Sequence, residues 1–181
     1  MDKVTIKDKT FRRYMSADEI ASVIKDVASR LNKDYKDKGG EPPILLCVLN
    51  GAMFFAVGLM LELDFPVQVE SIKLRSYEGT SSSGHIELTS PLTSDVKGRE
   101  VIICEDIVDT GNTMEFLLDH LKSKGAAKVR ICSFMFKPGS FGKPFSIDYI
   151  GKSIPNDFIV GFGFDYDNMG RNLKGIYSLD K

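Results

Sequence analysis

The stretch Val101-Ile-Ile-Cys-Glu-Asp-Ile-Val-Asp-Thr-Gly-Asn-Thr-Met114 changes abruptly from a wholly apolar run to acids, glycine and hydroxyls. Val101 to Cys104 follow the turn signal Lys97-Gly98 and suit a strand covered on both faces, as in the centre of a parallel sheet. Glu105 and Asp106 come directly after, and Asp109 to Thr113 lead into Met114, Leu117, Leu118 and Leu121 at helical spacing. The order is therefore strand, loop, helix. In open α/β sheets ligands bind outside the carboxyl ends of the strands, and the first N–H groups of a helix have no intrahelical partner, so a phosphate docks there. Gly111 with Thr110 and Thr113 suits such a cradle. The adjacent carboxylates suit a different task, accepting hydrogen bonds from a vicinal diol or holding a divalent cation through oxygen. A diol next to a phosphate describes ribose 5-phosphate. Taken singly, the acids also read as a solvated strand end and Thr113 as an ordinary N-cap.

Outward from this stretch the elements follow from periodicity and turn chemistry. Ile44 to Leu49 is a second fully apolar run, reached from the polar turn 36–43, and Asn50-Gly51 ends it at the same sheet edge as Glu105. Met53 to Leu61 continues as an almost entirely apolar helix, buried and available to a subunit interface. Ser16-Ala-Asp-Glu19 is a capping box, and Ile20, Val23, Ile24, Val27 and Leu31 place a helix from about Ala17 to Lys33 with its stripe in the core. Val4 and Ile6 form a short edge strand. Val67 to Leu74 reads as a strand, and Arg75 to Gly84 is a Ser/Gly-rich segment with little to bury, expected to be mobile when empty. His85 to Thr89 is its returning strand. Lys124-Gly125 closes the helix after Met114, Val129 to Phe136 is a strand ending in Lys137, and Asp148 to Ile150 and Phe158 to Phe164 supply two more. His85 and His120 read as surface residues with no ligand pattern around them.

A chain of 181 residues with 43% apolar and 27% charged content is that of one globular domain able to bury a core. Lys plus Arg number 24 against 25 Asp plus Glu, so the net charge is -1 and no broad grip on nucleic acid or membrane is expected. Cys47, Cys104 and Cys132 each lie in an apolar strand with no C-x-x-C pair, which reads as buried free thiols in a reducing compartment. The N-terminal residues hold no apolar leader segment, and no apolar run approaches the about 18 residues a membrane span needs. The expected location is cytoplasmic.

The central stretch resembles the phosphoribosyl-diphosphate (PRPP) loop of type I phosphoribosyltransferases, and within them the hypoxanthine-guanine branch, with the similarity running from about Ile44 to Tyr177. That resemblance implies the type I fold: an α/β domain with a mainly parallel sheet flanked by helices, core about 17–136, and a small hood from about 1–15 and 137–181. A lid of about residues 75–85 starts at Ser76-Tyr77 and closes over the site. It further implies that Glu105 and Asp106 hold the ribose hydroxyls, that Asp109 is the general base, and that Asp109 to Thr113 bind ribose and phosphate. Asn50, Gly51 and Arg171 would take pyrophosphate. Lys137, Phe158, Ile159 and Asp165 would take the purine, with Lys137 donating to a 6-oxo group, Phe158 stacking and the Ile159 backbone reading the base edge. Mg2+ is the implied metal, near Glu105, Asp106 and Asp165. Without the resemblance, Lys137 reads as solvated, Phe158 as core and Arg171 as surface. Two departures stand out: Asn50 replaces a usual lysine, and Asn112 a frequent lysine or arginine. Both lower the positive charge near the phosphates.

The implied reaction joins a 6-oxopurine, hypoxanthine or guanine, to PRPP and releases pyrophosphate, in a homodimer or homotetramer. Three other readings compete with this one. A transferase preferring xanthine, adenine or uracil stays open for xanthine. A nucleic-acid-binding regulator on the same fold is opposed by the absence of a basic stripe and by a retained Asp109. A Walker or Rossmann binder lacks its glycine motifs.

Overall fold

The computed structural model describes residues 2–77 and 85–180, with the side chains of Ser76, Tyr77 and His85 left aside. Among them the chain order is β1 (Lys3–Ile6), β2 (Lys9–Met15), α1 (Ala17–Tyr35), β3 (Ile44–Leu49), α2 (Met53–Leu61), β4 (Gln68–Tyr77) and β5 (His85–Ser90). It continues with β6 (Glu100–Val108), α3 (Asn112–Ser123), β7 (Lys128–Phe136), β8 (Tyr149–Ser153), β9 (Ile159–Val160) and β10 (Ile176–Leu179). The large sheet has the order β5-β4-β3-β6-β7-β8 and is parallel except at the β4–β5 edge.

Apolar runs on both faces explain the central strands. In β3 and β6, Leu45, Cys47, Ile102 and Cys104 face α1 and α2, while Ile44, Leu46, Val101 and Ile103 face α3, so each strand buries alternate residues in two separate cores. Cys47, Cys104 and Cys132 are in register across β3, β6 and β7, and all three are free and buried. The chain runs from β3 through α2 to β4 on one side and from β6 through α3 to β7 on the other. The strand order therefore reverses between β3 and β6, which is where a doubly wound sheet opens a crevice at its carboxyl edge.

The capping box at α1 is formed in full: Glu19 N–H donates to Ser16 Oγ at 3.2 Å, and Ser16 N–H donates to Glu19 Oε2 at 2.8 Å. Ser16→Ala is expected to cost about 1 kcal/mol, read as a melting temperature lower by about 2–4 °C in a domain of this size.

Several expectations need correction. β6 does not end at Cys104 but runs on to Val108, so Glu105 and Asp106 lie within a paired strand and not beyond it. Residues 9–15 form a strand that apolar alternation did not mark, because β2 belongs to a small antiparallel sheet, β1-β2-β10-β9, packed on Ile6, Phe11, Val160 and Tyr177. This sheet is the hood. Its C-terminal part starts later than Lys137, because β8 returns to pair with β7 in the large sheet. The expected strand from Phe158 to Phe164 shrinks to Ile159–Val160, since Gly161 and Gly163 take φ of 98° and 100° and turn the chain. Gly111, in the left-handed region, is the N-cap of α3 in place of Thr113. His120 is half-buried with its ring stacked on Phe116, and burial lowers its pKa. The segment 78–84, which carries most of the expected lid, lies outside the described residues.

Candidate active site

The carboxyl ends of β3, β6 and β7 meet at the crevice, and each ends in residues with chemistry. Asn50-Gly51 follow β3, Glu105 and Asp106 lie near the end of β6 with Asp109 just beyond it, and Lys137 follows β7 with its N–H donating to Val108 O at 2.9 Å. A cleft of about 310 Å³ is lined by Asn50, Gly51, Glu105, Asp106, Asp165 and Arg171, among others. A smaller hollow of about 90 Å³ next to it is formed by residues 107–114. The expected diphosphate-side and loop residues are therefore brought to one edge.

Glu105 is 6% exposed. Asp106 N–H donates to Glu105 Oε1 at 3.1 Å and Ile107 N–H to Asp106 Oδ1 at 2.8 Å. Burial, and then the neighbouring Asp106 charge, pushes the Glu105 carboxyl well above its usual range. Burial likewise raises Asp106, against hydrogen bonds and the positive charge of Arg171, which lower it. Two adjacent carboxyls, one buried and one half-buried, attract whatever supplies positive charge or O–H donors.

Close backbone approach shapes the β3 end of the cleft. A Cβ on Gly51 would lie 1.8 Å from Asp106 Oδ2, and one on Gly163 would lie 2.1 Å from the Gly51 carbonyl oxygen. The peptide between Leu49 and Asn50 is cis. Gly163, which periodicity did not single out, thus seats the hood directly on the Asn50-Gly51 turn; its only trace in sequence is the Gly-Phe-Gly spacing. Arg171 reaches back to the same place. Its Nη1 donates to Gly163 O at 2.5 Å and its Nη2 pairs with Asp165 Oδ1 at 2.5 Å.

At the helix end of the cleft, Gly111 has φ of 87°, and a Cβ there would meet Phe141 and Lys143 side-chain carbons at 2.7 Å. The loop is pressed from behind by the segment that carries Phe141 and Lys143, which no pattern in the sequence marks. Lys143 is held by Glu115 at 2.7 Å. Thr110 and Asn112 are exposed and Thr113 is half-buried.

On the far side, Lys137 Nζ donates to Asp109 Oδ2 at 3.1 Å, with the lysine side chain 13% exposed and the aspartate 44%. Lys137 is not the solvated strand-end lysine that the residue alone suggests. Phe158 is 44% exposed and not core, while Ile159 is buried in β9, paired with Ser178. Among the described residues no three His, Cys, Asp or Glu side chains are grouped as a ready-made metal cluster. Asp165 lines the cleft with Glu105 and Asp106 but is engaged by Arg171.

A doubly wound α/β sheet, with adjacent acids at its strand-order reversal and a glycine-capped helix N-terminus beside them, defines a protein that handles a phosphorylated sugar. Residues 14–167 match the phosphoribosyl transferase domain model, and the chain belongs to that family. It is 36% identical over 177 residues to the hypoxanthine-guanine-xanthine phosphoribosyltransferase of Tritrichomonas foetus, covering 97% of this chain and 95% of that one. It is 39% identical over 163 residues to the hypoxanthine-guanine phosphoribosyltransferase of Streptococcus pneumoniae, covering 90% and 89%. Among solved structures, a Trypanosoma cruzi hypoxanthine phosphoribosyl transferase superposes with a TM-score of 0.88 at 32% identity, covering 98% and 95% of the two chains. The hypoxanthine phosphoribosyltransferase of Staphylococcus aureus gives 0.86 at 29% identity, covering 93% and 91%.

Proposed function

We propose that this protein is a purine-salvage enzyme that transfers the 5-phosphoribosyl group of PRPP to hypoxanthine or guanine, giving the nucleoside 5'-monophosphate and pyrophosphate. The observation that carries the choice of base is the Lys137–Asp109 pair at 3.1 Å. N7 and the 6-oxo group are neighbours on one edge of a 6-oxopurine. A carboxylate oxygen and an ammonium side by side match that edge, the first accepting from N7–H and the second donating to O6. Adenine would turn its 6-amino donor toward the ammonium, leaving both without an acceptor. Phe158, exposed on one side, offers a face for stacking on the base.

In this reading the loop 109–113 holds the 5'-phosphate at the helix N-terminus, and Glu105 and Asp106 accept from the ribose hydroxyls. Their negative charge favours the positive charge that develops at the anomeric carbon as pyrophosphate departs. Asp109 takes the proton from purine N7. The backbone of Asn50 and Gly51 and the Arg171 fork bind pyrophosphate. Glu105, Asp106 and Asp165 are all-oxygen donors of the kind that Mg2+ takes together with substrate phosphates. When bound, the ion neutralises charge on pyrophosphate. The arrangement suits a metal completed by substrate oxygens, since Asp165 is shared with Arg171 in the free protein.

Association into a homodimer or homotetramer is part of the proposal. It is supported by the outer face of α2, where Met53, Phe54, Val57 and Leu61 stand 37–82% exposed. No helix among the described residues is long and apolar enough to cross a membrane. The three buried unpaired cysteines fit the proposed cytoplasmic location. The nucleic-acid regulator is not favoured, because the acids and Asp109 of a working site are all in place.

The test is an ultraviolet assay with PRPP and Mg2+, offering hypoxanthine, guanine, xanthine, adenine and uracil separately. Turnover of hypoxanthine or guanine without adenine is expected, and Lys137→Ala should lower kcat/KM for the accepted base roughly 10- to 100-fold, the loss of one charged hydrogen bond. Adenine turnover, or an unaffected Lys137→Ala, overturns the base assignment.

A further inference from the structure

Phe158 is the proposed stacking platform, and what holds it comes from the far end of the chain. One side of its ring is backed by Phe11 of β2, fully buried, at a centroid distance of 6.1 Å. Tyr166 meets it edge-to-face, 5.9 Å away at 88°. Tyr166 also meets Phe11 at 6.2 Å, so the three rings form a closed triangle.

Tyr166 is itself pinned from outside the C-terminal segment. Its hydroxyl donates to Asp8 Oδ1 at 2.8 Å, and Lys9 Nζ lies 5.3 Å over its ring. The next residue, Asp167, forms an ion pair with Lys7. Lys7, Asp8 and Lys9 are the turn of the β1–β2 hairpin and its first strand residue. Tyr166 N–H donates to Met169 O at 2.9 Å and Met169 N–H to Tyr166 O at 3.0 Å, closing a tight turn with Asp167 and Asn168 at φ of 51° and 64°. A two-residue turn with both carbonyl and amide satisfied does not need three further contacts to exist. Those contacts set where the Tyr166 ring stands.

We infer that Tyr166, held by the N-terminal hairpin through Asp8 and Lys9, is a positioning residue for the purine site, acting through Phe158. This rests on the reading of Phe158 as the base-stacking residue. An aromatic edge-to-face pair adds binding beyond area burial only while its geometry is kept. A platform ring that is 44% exposed cannot keep that geometry by burial alone. The ligand affected is therefore the planar base and not PRPP.

The experiment is a double-mutant cycle of Tyr166→Leu and Phe158→Leu, with Tyr166→Phe as the conservative variant and melting temperatures taken on each. Tyr166→Leu is expected to raise KM for the accepted purine roughly fivefold to tenfold, with KM for PRPP held within about twofold. Tyr166→Phe keeps the ring and the Lys9 contact but loses the bond to Asp8, so its base KM should fall between those of the parent and Tyr166→Leu. In the Phe158→Leu background the effect of Tyr166→Leu should vanish. Equal rises in both KM values, or the same base-KM rise with and without Phe158, overturn the positioning role. If Phe158→Leu alone leaves the base KM unchanged, the stacking assignment has failed, and the inference falls with it for a reason that single variant identifies.

Discussion

Asp109→Asn is expected to keep PRPP binding while turnover falls roughly 10²-fold or more, the usual worth of a positioned general base. The substitution is close to isosteric, so the loop keeps its path and Lys137 keeps an oxygen to donate to. What is lost is the ability to take a proton. Asp109 stands between the strand end at Val108 and the glycine-capped helix, partly exposed, with Lys137 paired to it at 3.1 Å. In the proposed binding mode, backbone N–H groups of the residues after Asp109 take the 5'-phosphate and Glu105 and Asp106 take the ribose, so none of these contacts needs the Asp109 charge. Turnover at substrate saturation, beside a PRPP titration followed by protection against thermal unfolding, separates the two effects. An unaffected rate removes Asp109 from the base role, and loss of PRPP protection makes it a binding residue instead.

Gly51→Ala is expected to lower kcat/KM for PRPP by roughly 10²-fold or more, because misplacement of reacting groups by about 1 Å costs that much. The added methyl would fall 1.8 Å from Asp106 Oδ2. Asp106 can yield only by giving up the Ile107 N–H bond at 2.8 Å, which displaces its carboxylate within the cleft it lines. The Asn50-Gly51 turn cannot retreat, since its carbonyl is seated against Gly163. The strain therefore lands on Asp106, the proposed ribose-binding acid, or on the hood. Gly39→Ala, at a position where a Cβ meets nothing within 4 Å, is the control and should leave kinetics unchanged. A Gly51→Ala enzyme with wild-type kcat/KM for PRPP would mean that this approach does not shape the site. A melting temperature close to that of the parent, with the kinetic loss intact, would locate the damage in the cleft and not in the fold.

The same two glycines show where reading along the chain runs out. Asn50-Gly51 was legible as a strand end at the catalytic edge, because an apolar run stopped there. That Gly51 has to be glycine was not, since the atom it must avoid belongs to Asp106, on the next strand of the sheet. Gly163 was hidden inside what looked like one strand from Phe158 to Phe164, and its positive φ turns the chain so that the hood touches the β3 loop. Glu105 and Asp106 were found by type and order but placed beyond the strand. Periodicity ends a strand where apolar residues end, whereas β6 continues because β7 offers it hydrogen bonds through Val108.

By itself the sequence determined the sheet core, the helices and the loop chemistry. These are local: apolar runs on both strand faces, a capping box at Ser16 and a glycine between hydroxyls each state their structure within a few residues. The family resemblance added roles for Lys137, Phe158 and Arg171 that their residue types would not have carried. Only the tertiary structure decided which groups face each other: Lys137 with Asp109, Arg171 with Asp165, Gly163 on Gly51, and Asp8 with Tyr166 across 158 residues of chain. Such pairings depend on how the two sheets pack. Their partners are set by distances in space, which no spacing along the chain records.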